Sequence, residues 1–243
     1  MDRSVRSIPT ESIPTELSGL AEKLIRGRHA TRAFRPEAVP EDTMRAIFSL
    51  AGAAPSSSNT QPWQVEVVSG AARHRLADAL RTAHAERRIS VDVPYSDGMY
   101  AEAHQARRAA FGAELYGALG IGHDDHTSRT AYDAESLGFY GAPHAAFLFV
   151  DGDADGDGGA GARLAADVGS YMQTLLLAMT GYGVDSCPQG LLSFYADTVR
   201  AELGVTGGSL LVGISFGYAD ETAPVNRVTT ERAPLESTTT FHG

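Results

Sequence analysis

The chain has 243 residues, which is enough for one large domain or two small ones with a sizeable core. Its 30 acidic and 20 basic residues give a formal net charge of −10, which opposes binding to nucleic acid or to an anionic membrane surface. The single cysteine, Cys187, excludes an intramolecular disulfide and a multi-cysteine metal site. A chain that makes no use of disulfides is expected in a reducing compartment such as the cytoplasm.

The first sixteen residues contain a tandem repeat, Ser7–Glu11 followed by Ser12–Glu16. The repeat is polar and interrupted by proline, and it lacks the apolar core of a signal peptide. Residues 1–16 are therefore predicted to form a disordered arm. No stretch of the chain approaches the roughly 20 apolar residues that a membrane-spanning helix needs, so no membrane contact is expected.

Hydrophobic periodicity predicts interspersed helices and strands from Leu17 onward. The predicted helices are Leu17–Ile25, 41–53, 72–88, 100–119, a long helix that begins before Leu164 and ends at Gly181, and Phe194–Leu203. The predicted strands are Gln64–Val68, Ala145–Val150 and Ser209–Phe216. This order is typical of an α/β or α+β domain with a sheet covered by helices, and no linker divides it in two.

The segment Gly156–Gly161 formally matches the G-x-G-x-x-G fingerprint of dinucleotide-binding proteins. Five residues separate it from the predicted strand end at Val150, and aspartates line the approach; their charge would repel a pyrophosphate. The same aspartates resemble a calcium loop, but position twelve is Ala162 where a bidentate glutamate is needed. The segment is predicted to be an acidic loop without a ligand, and no metal site is expected.

Cys187 has no neighbouring base in the sequence, which favours a buried structural thiol over a nucleophile. No G-x-S-x-G motif indicates a serine hydrolase. The sequence therefore identifies no catalytic residue.

The segment Arg28–Phe34 concentrates three basic side chains in an acidic chain. It is consistent with a solvated surface turn, or with a phosphate site in which guanidinium groups make charge-assisted hydrogen bonds. A second segment, Ala54–Trp63, combines three serines, an asparagine and a glutamine. These neutral donors and acceptors suit the edge of a heteroaromatic ring better than a metal or an anion.

Taken together, these segments resemble the flavin-dependent nitroreductase family. Arg28–Arg32 is similar to the opening R-[RH]-S-x-[RK] motif, with Ala30 in place of the usual serine, and Ala54–Trp63 is similar to the A-P-S-x-x-N-x-Q-P-W motif. Gly183–Gly190 resembles the segment that passes the flavin, and Ala223–Arg227 resembles the C-terminal phosphate-binding stretch. Phe139–Pro143 resembles the segment before the central strand. The resemblance extends from about residue 20 to the end of the chain.

The resemblance implies an α+β fold with a mixed sheet covered by helices, in a single FMN-binding domain over residues 17–243. It implies a homodimer with flavins at its interface, a lid-like helical insertion at residues 90–126, and an extended tail at residues 220–243 that wraps the partner subunit. The cofactor-binding residues that it implies are Arg28, His29, Ala30, Arg32, Pro55, Ser56, Ser57, Asn59, Pro188, Gln189, Gly190 and Arg227.

The resemblance also assigns roles within this set. Arg28 and Arg227 are expected at the FMN phosphate, Arg32 at the pyrimidine edge, and Pro188–Gly190 alongside the ring. Ser56, Ser57 and Asn59 are expected to contact the flavin held mainly by the other subunit.

The implied activity is ping-pong reduction of a small aromatic acceptor, a nitroaromatic or quinone-like compound, with NADPH or NADH as electron donor. Because the flavin supplies the hydride chemistry, no protein acid or base is obligatory. Two alternatives remain open from the sequence: a flavin-dependent dehydrogenase or oxidase that desaturates a small substrate, and a non-catalytic flavin-binding protein.

Overall fold

The computed structural model describes residues 15–151 and 160–243. The Ser7–Glu11 repeat and most of the acidic loop that carries Gly156–Gly161 lie outside the described residues. None of the helices in the described ranges is both long and apolar enough to cross a bilayer.

The described residues form seven α-helices and four β-strands. The helices are α1 (Thr15–Gly27), α2 (Glu41–Ala51), α3 (Gly70–Ala85), α4 (Glu102–Ala118), α5 (His126–Leu137), α6 (Ala160–Gly181) and α7 (Ala196–Leu203). The strands are β1 (Trp63–Ser69), β2 (His144–Val150), β3 (Asp185–Gln189) and β4 (Ser209–Gly217). Every helix and strand predicted from periodicity is present, with ends that differ by a few residues. The sequence did not predict α5 or β3.

The four strands form one sheet in the order β1-β2-β4-β3. The expectation of a mixed sheet is corrected, because every ladder between described strands is antiparallel. Parallel pairing among the described residues is limited to two isolated bridges, Ala30–Ser186 and Ser90–Tyr195. The segment at Ala30 does not become a strand because, next to β3, it makes one backbone hydrogen bond, from Thr31 N to Ser186 O at 3.0 Å.

The sheet lies between two layers of helices. One face packs against side chains of α3, α5 and α7, including Leu76, Leu137 and Val199. The other packs against α2 and α6, including Ile47 and Leu175. The two middle strands are therefore covered on both faces, and every residue of β2 is buried. Burial on both faces explains the continuous apolar run of β2.

Candidate functional site

The basic segment Arg28–Phe34 lines a cavity of about 760 Å³. Arg28, His29 and Arg32 contribute to one wall, Phe111 of α4 to another, and Arg232 of the C-terminal segment to a third. The volume falls in the range of sites for small ligands and cofactors. The residues that the sequence singled out as a phosphate site therefore do line a cavity.

Three arginines of the cavity have no carboxylate partner, whereas a fourth, Arg26, pairs with Glu22 in the same lining. Arg28, Arg32 and Arg232 are in no ion pair with an aspartate or glutamate of the described ranges. Burial lowers the pKa of Arg28, and the positive charge of Arg232 lowers it further. Two guanidinium groups held close together without a counter-ion favour an anionic ligand.

Arg232 lines the cavity and Arg227 does not. Arg227 ends a 3₁₀ turn, Pro224–Arg227, and its side chain is exposed. Arg232 is oriented by hydrogen bonds from its guanidinium to Thr230 O and Thr230 Oγ1, at 2.8 and 2.6 Å. Reasoning from the sequence chose Arg227 and missed Arg232, although Arg232 is the next basic residue along the same segment.

The C-terminal segment is attached to the basic segment by Asn226, another residue that the sequence did not single out. Its side-chain Oδ1 accepts a hydrogen bond from Arg32 N at 2.7 Å, and its Nδ2 donates to Ala33 O at 2.8 Å. Asn226 thus supports the backbone on which Arg32 stands. The Arg32 guanidinium lies 5.1 Å from the centroid of the Phe111 ring, in a cation–π arrangement.

Cys187 lies in β3 beneath these arginines and is buried. Burial raises the pKa of its thiol to about 11, against the opposing effect of Arg32 and Arg28. The thiol is therefore protonated at neutral pH and inaccessible, so the interpretation of Cys187 as a structural residue is confirmed.

The end of β3 brings Pro188, Gln189 and Gly190 close to the basic segment, because Ala30 bridges Ser186 two residues earlier. Pro188 and Gly190 line a second, apolar cavity of about 250 Å³ against α6. A Cβ added at Gly190 would meet no atom within 4 Å, so this backbone faces open space. The Gln189 side chain points the other way and is buried.

The polar loop after α2 has an unusual backbone. Ser58, Asn59 and Gln61 all have positive φ, at 50°, 59° and 49°, a region that residues other than glycine and asparagine rarely adopt. Ser57 N donates to both carboxylate oxygens of Asp167 at 3.1 Å, and Gln61 N donates to Ser56 Oγ at 2.9 Å. Strain held in place by such contacts is typical of functional loops.

Within one chain, this loop does not reach the basic cavity. Pro55, Ser56, Ser57 and Asn59 line neither of the two cavities. The structure thus brings together the predicted residues of the basic segment and β3, and leaves the predicted residues of the polar loop apart.

The segment at residues 90–126 is attached at its base to α7 and β4. Asp92 pairs with Arg200 and accepts a hydrogen bond from Leu210 N at 2.6 Å. Further along, Tyr95 packs edge-on against Phe194 at 5.4 Å between ring centroids. Phe194 ends the 3₁₀ turn that begins at Gly190, so this segment adjoins the open backbone of β3. Phe111 and Tyr116 pack in a small cluster with Leu115 and Tyr132.

The residues present fit FMN. The cavity offers guanidinium groups without counter-ions for a phosphate, and Gly190 offers backbone that no side chain covers. Thr31 Oγ1, between Ala30 and Arg32, is also buried and has no hydrogen-bond partner in the described ranges.

Comparison with known proteins identifies the family. The model of the nitroreductase family matches residues 25–218. The chain is 60% identical to the nitroreductase NfnB of Mycolicibacterium smegmatis, over 98% of this chain and 99% of that protein. It is 33% identical to the chloronitrobenzene nitroreductase of Comamonas testosteroni, over 92% of this chain and 97% of that protein.

Solved structures agree. The crystal structure of FMN-dependent NfnB from Mycobacterium smegmatis in complex with NADPH aligns with a TM-score of 0.89 and 60% identity, covering 93% of this chain and 100% of that chain. The FMN- and NADPH-dependent NfnB of Sphigopyxis sp. strain HMH aligns with a TM-score of 0.84 and 33% identity, covering 92% and 99%. The family match spans most of the chain, the relatives match over nearly their whole length, and the chain belongs to the nitroreductase family.

Proposed function

We propose that this protein is an FMN-dependent oxidoreductase that uses NADPH to reduce nitroaromatic and quinone-like acceptors. The observation that carries the proposal is the cavity that Arg28 and Arg232 line, since neither guanidinium group pairs with a carboxylate of the described ranges. The relatives named above support the same cofactor, donor and class of acceptor.

Arg28 and Arg232 hold the phosphate of FMN in this proposal, with His29 and the backbone at Ala30 alongside. Two fixed guanidinium groups match a phosphate dianion in charge and hydrogen-bond geometry. Arg232 replaces Arg227 in the assignment made from the sequence, because Arg232 lines the cavity.

Arg32 and the Pro188–Gly190 backbone flank the isoalloxazine ring. When bound, FMN would supply the hydride chemistry that connects the nicotinamide donor with the acceptor. Arg32 is held by Asn226 and places a permanent positive charge at one edge of the ring. The uncovered backbone at Gly190 allows close approach along the ring. No protein side chain is assigned a proton in the reaction.

Pro55, Ser56, Ser57 and Asn59 act on the flavin of the partner subunit in a homodimer. The support is that they lie away from both cavities of their own chain while their backbone is held in a strained form. Helix α1 also exposes Leu17, Leu20 and Ile25, and an apolar helix face of this kind indicates a contact surface.

The C-terminal segment from residue 220 wraps the partner subunit in the same assembly. Its last residues carry exposed apolar side chains, among them Leu235 and Phe241. A second subunit would bury both. The single domain begins near Thr15, where α1 starts, and residues 90–126 form a lid-like insertion over the acceptor side. We also infer a cytoplasmic location, supported by the single buried thiol, Cys187.

The proposal is tested with the purified protein. Denaturation should release FMN and not FAD, identified by chromatography. Anaerobic addition of NADPH should bleach the flavin absorbance, and a nitroaromatic compound added afterwards should restore it. A protein that neither contains nor binds FMN, or whose flavin NADPH does not bleach, would contradict the proposal.

A further inference from the structure

The side chain of Gln189 is fixed by three hydrogen bonds in the protein interior. Its Nε2 donates to Ser136 O at 2.8 Å and to Ser136 Oγ at 2.9 Å. Its Oε1 accepts a hydrogen bond from Ser215 Oγ. Because the carbonyl of Ser136 can only accept, the orientation of the amide is settled. Gln189, Ser136 and Ser215 are 5%, 5% and 0% exposed, and we refer to them as the glutamine clamp.

The clamp connects three elements at one point. Gln189 is the last residue of β3, Ser136 lies at the end of α5, and Ser215 lies in β4. Ser215 pairs directly with Cys187, so its contact with Gln189 is a diagonal contact on the same face of the sheet. The amide of Gln189 therefore fastens the end of β3 to both the neighbouring strand and the helix above it.

The end of β3 needs such a fastening. Among the described strands β3 lies at the edge of the sheet, and it has a ladder with β4 and an isolated bridge from Ser186 to Ala30. The residue before Gln189 is Pro188, which has no N–H to donate to a ladder. Gln189 and Gly213 form the last pair of the ladder, and Gly190 lies immediately beyond it. Without the clamp, the strand end would be held by few backbone hydrogen bonds.

The clamp also leaves no hydrogen-bonding group of the Gln189 side chain free to contact a ligand. Both N–H groups and the carbonyl oxygen of its amide are already engaged. Polar contact of Pro188–Gly190 with a ring must therefore come from the backbone, and the backbone at Gly190 faces open space. The open backbone at Gly190 and the clamp at Gln189 thus belong to the same short stretch of chain and lie on its two sides.

We infer that the Ser136–Gln189–Ser215 clamp is a positioning device that sets how closely the backbone at residues 189–190 meets the flavin, and thereby tunes the reduction potential of the bound FMN. This inference rests on the proposed function. A backbone dipole held close to the ring edge acts on the charge that reduction adds, whereas a looser backbone acts on it less. The side chains of Gln189, Ser136 and Ser215 are positioning groups, since these side chains contact only the protein.

The test measures the midpoint potential of bound FMN by equilibrium titration with redox dyes, together with FMN affinity and the melting temperature. Gln189→Met keeps the length of the side chain and removes all three hydrogen bonds. We expect its potential to fall by at least the equivalent of a tenfold change in the redox equilibrium, about 30 mV for a two-electron couple. Ser215→Ala removes one hydrogen bond and should give a smaller shift of the same sign.

The matched control is Ser69→Ala. Ser69 makes a partly buried hydrogen bond to His144 Nδ1 at 2.5 Å and lies in β1, at the opposite edge of the sheet from β3. It should lower the melting temperature without moving the potential. If Gln189→Met does not fold, the sign and size of the Ser215→Ala shift decide the question.

The inference is overturned if the folded clamp variants bind FMN, lose thermal stability as the control does, and keep the wild-type potential. Failure of the proposed function has a different signature, because the wild-type protein itself would then bind no FMN before any substitution is made.

Discussion

Two regions of the candidate site differ in how much of their structure one chain supplies. The segment Arg28–Phe34 is held by backbone contacts with β3, by Asn226 and by Phe111. The polar loop Pro55–Gln61 is strained and largely exposed, and its residues line neither of the two cavities. The difference supports the proposal that one chain builds the phosphate and ring-edge part of the site, with the loop assigned to the site of a partner subunit.

The largest expected effect concerns the phosphate end. Arg28→Ala and Arg232→Ala should each weaken FMN binding by about 10- to 100-fold, because a hydrogen bond to a charged group contributes about 1.5–3 kcal/mol. Arg227→Ala is the matched control, with the same charge change five residues before Arg232 on a side chain that does not line the cavity. Titration of the apoprotein with FMN, followed by fluorescence quenching, measures all three. An equal loss in Arg227→Ala would show that the cavity was assigned the wrong arginine.

The second effect concerns the backbone at Gly190, which no side chain covers. Gly190→Val should cut turnover with NADPH about tenfold or more, with little change in the melting temperature of the apoprotein, because its Cβ meets no protein atom within 4 Å. Gly213→Ala is the contrasting variant, since a Cβ there would overlap the side chain of Leu192 and should lower the melting temperature. If Gly190→Val melts early and turns over normally once folded, the segment is only a turn.

The third effect tests whether the loop serves another subunit. Asn59→Ala should weaken FMN binding severalfold although Asn59 lines no cavity of its own chain. FMN that binds only the dimer should also shift the monomer–dimer equilibrium toward dimer by mass action. Sedimentation velocity at decreasing protein concentration, with and without FMN, measures the shift. A monomer with full flavin occupancy would contradict the assignment.

The smallest expected effect concerns His144, the first residue of β2, which lies away from both regions. Burial lowers the pKa of His144 below its ordinary value. Its Nε2 accepts a hydrogen bond from Val39 N at 2.9 Å, so the ring is neutral in the fold. The unfolded chain therefore binds this proton more readily. The stabilisation that neutral His144 contributes is therefore fully present above about pH 6.5, the ordinary pKa of histidine. It is lost as the pH falls from there through the lower pKa of His144 in the folded protein.

We expect the free energy of unfolding to fall on acidification through this range, because the unfolded chain then binds a proton that the buried ring of His144 does not. Urea unfolding of the apoprotein at pH 7.5 and pH 5 measures the loss, and His144→Gln should reduce the dependence on pH. An unchanged pH dependence in His144→Gln would assign the acid sensitivity to other groups.

Most helices and three of the four strands follow from local pattern, but β3 and α5 do not. β3 reads Asp-Ser-Cys-Pro-Gln, without alternation and with a proline that disfavours a strand. It forms because β4 offers an edge to pair with, which is a tertiary effect. α5 is largely polar, and its few buried positions, Tyr132, Ser136 and Leu137, pack only once α3 and β3 are in place.

The sequence by itself determined the family, the layered α+β class, the buried thiol at Cys187 and the basic segment at Arg28–Arg32, because each depends on short-range pattern or residue chemistry. Only the tertiary structure decided that Arg232 and not Arg227 lines the cavity, that Asn226 supports Arg32, and that the side chain of Gln189 points away from the open backbone. These depend on which way a turn or strand end directs a side chain relative to distant elements, and spacing along the chain does not fix that direction.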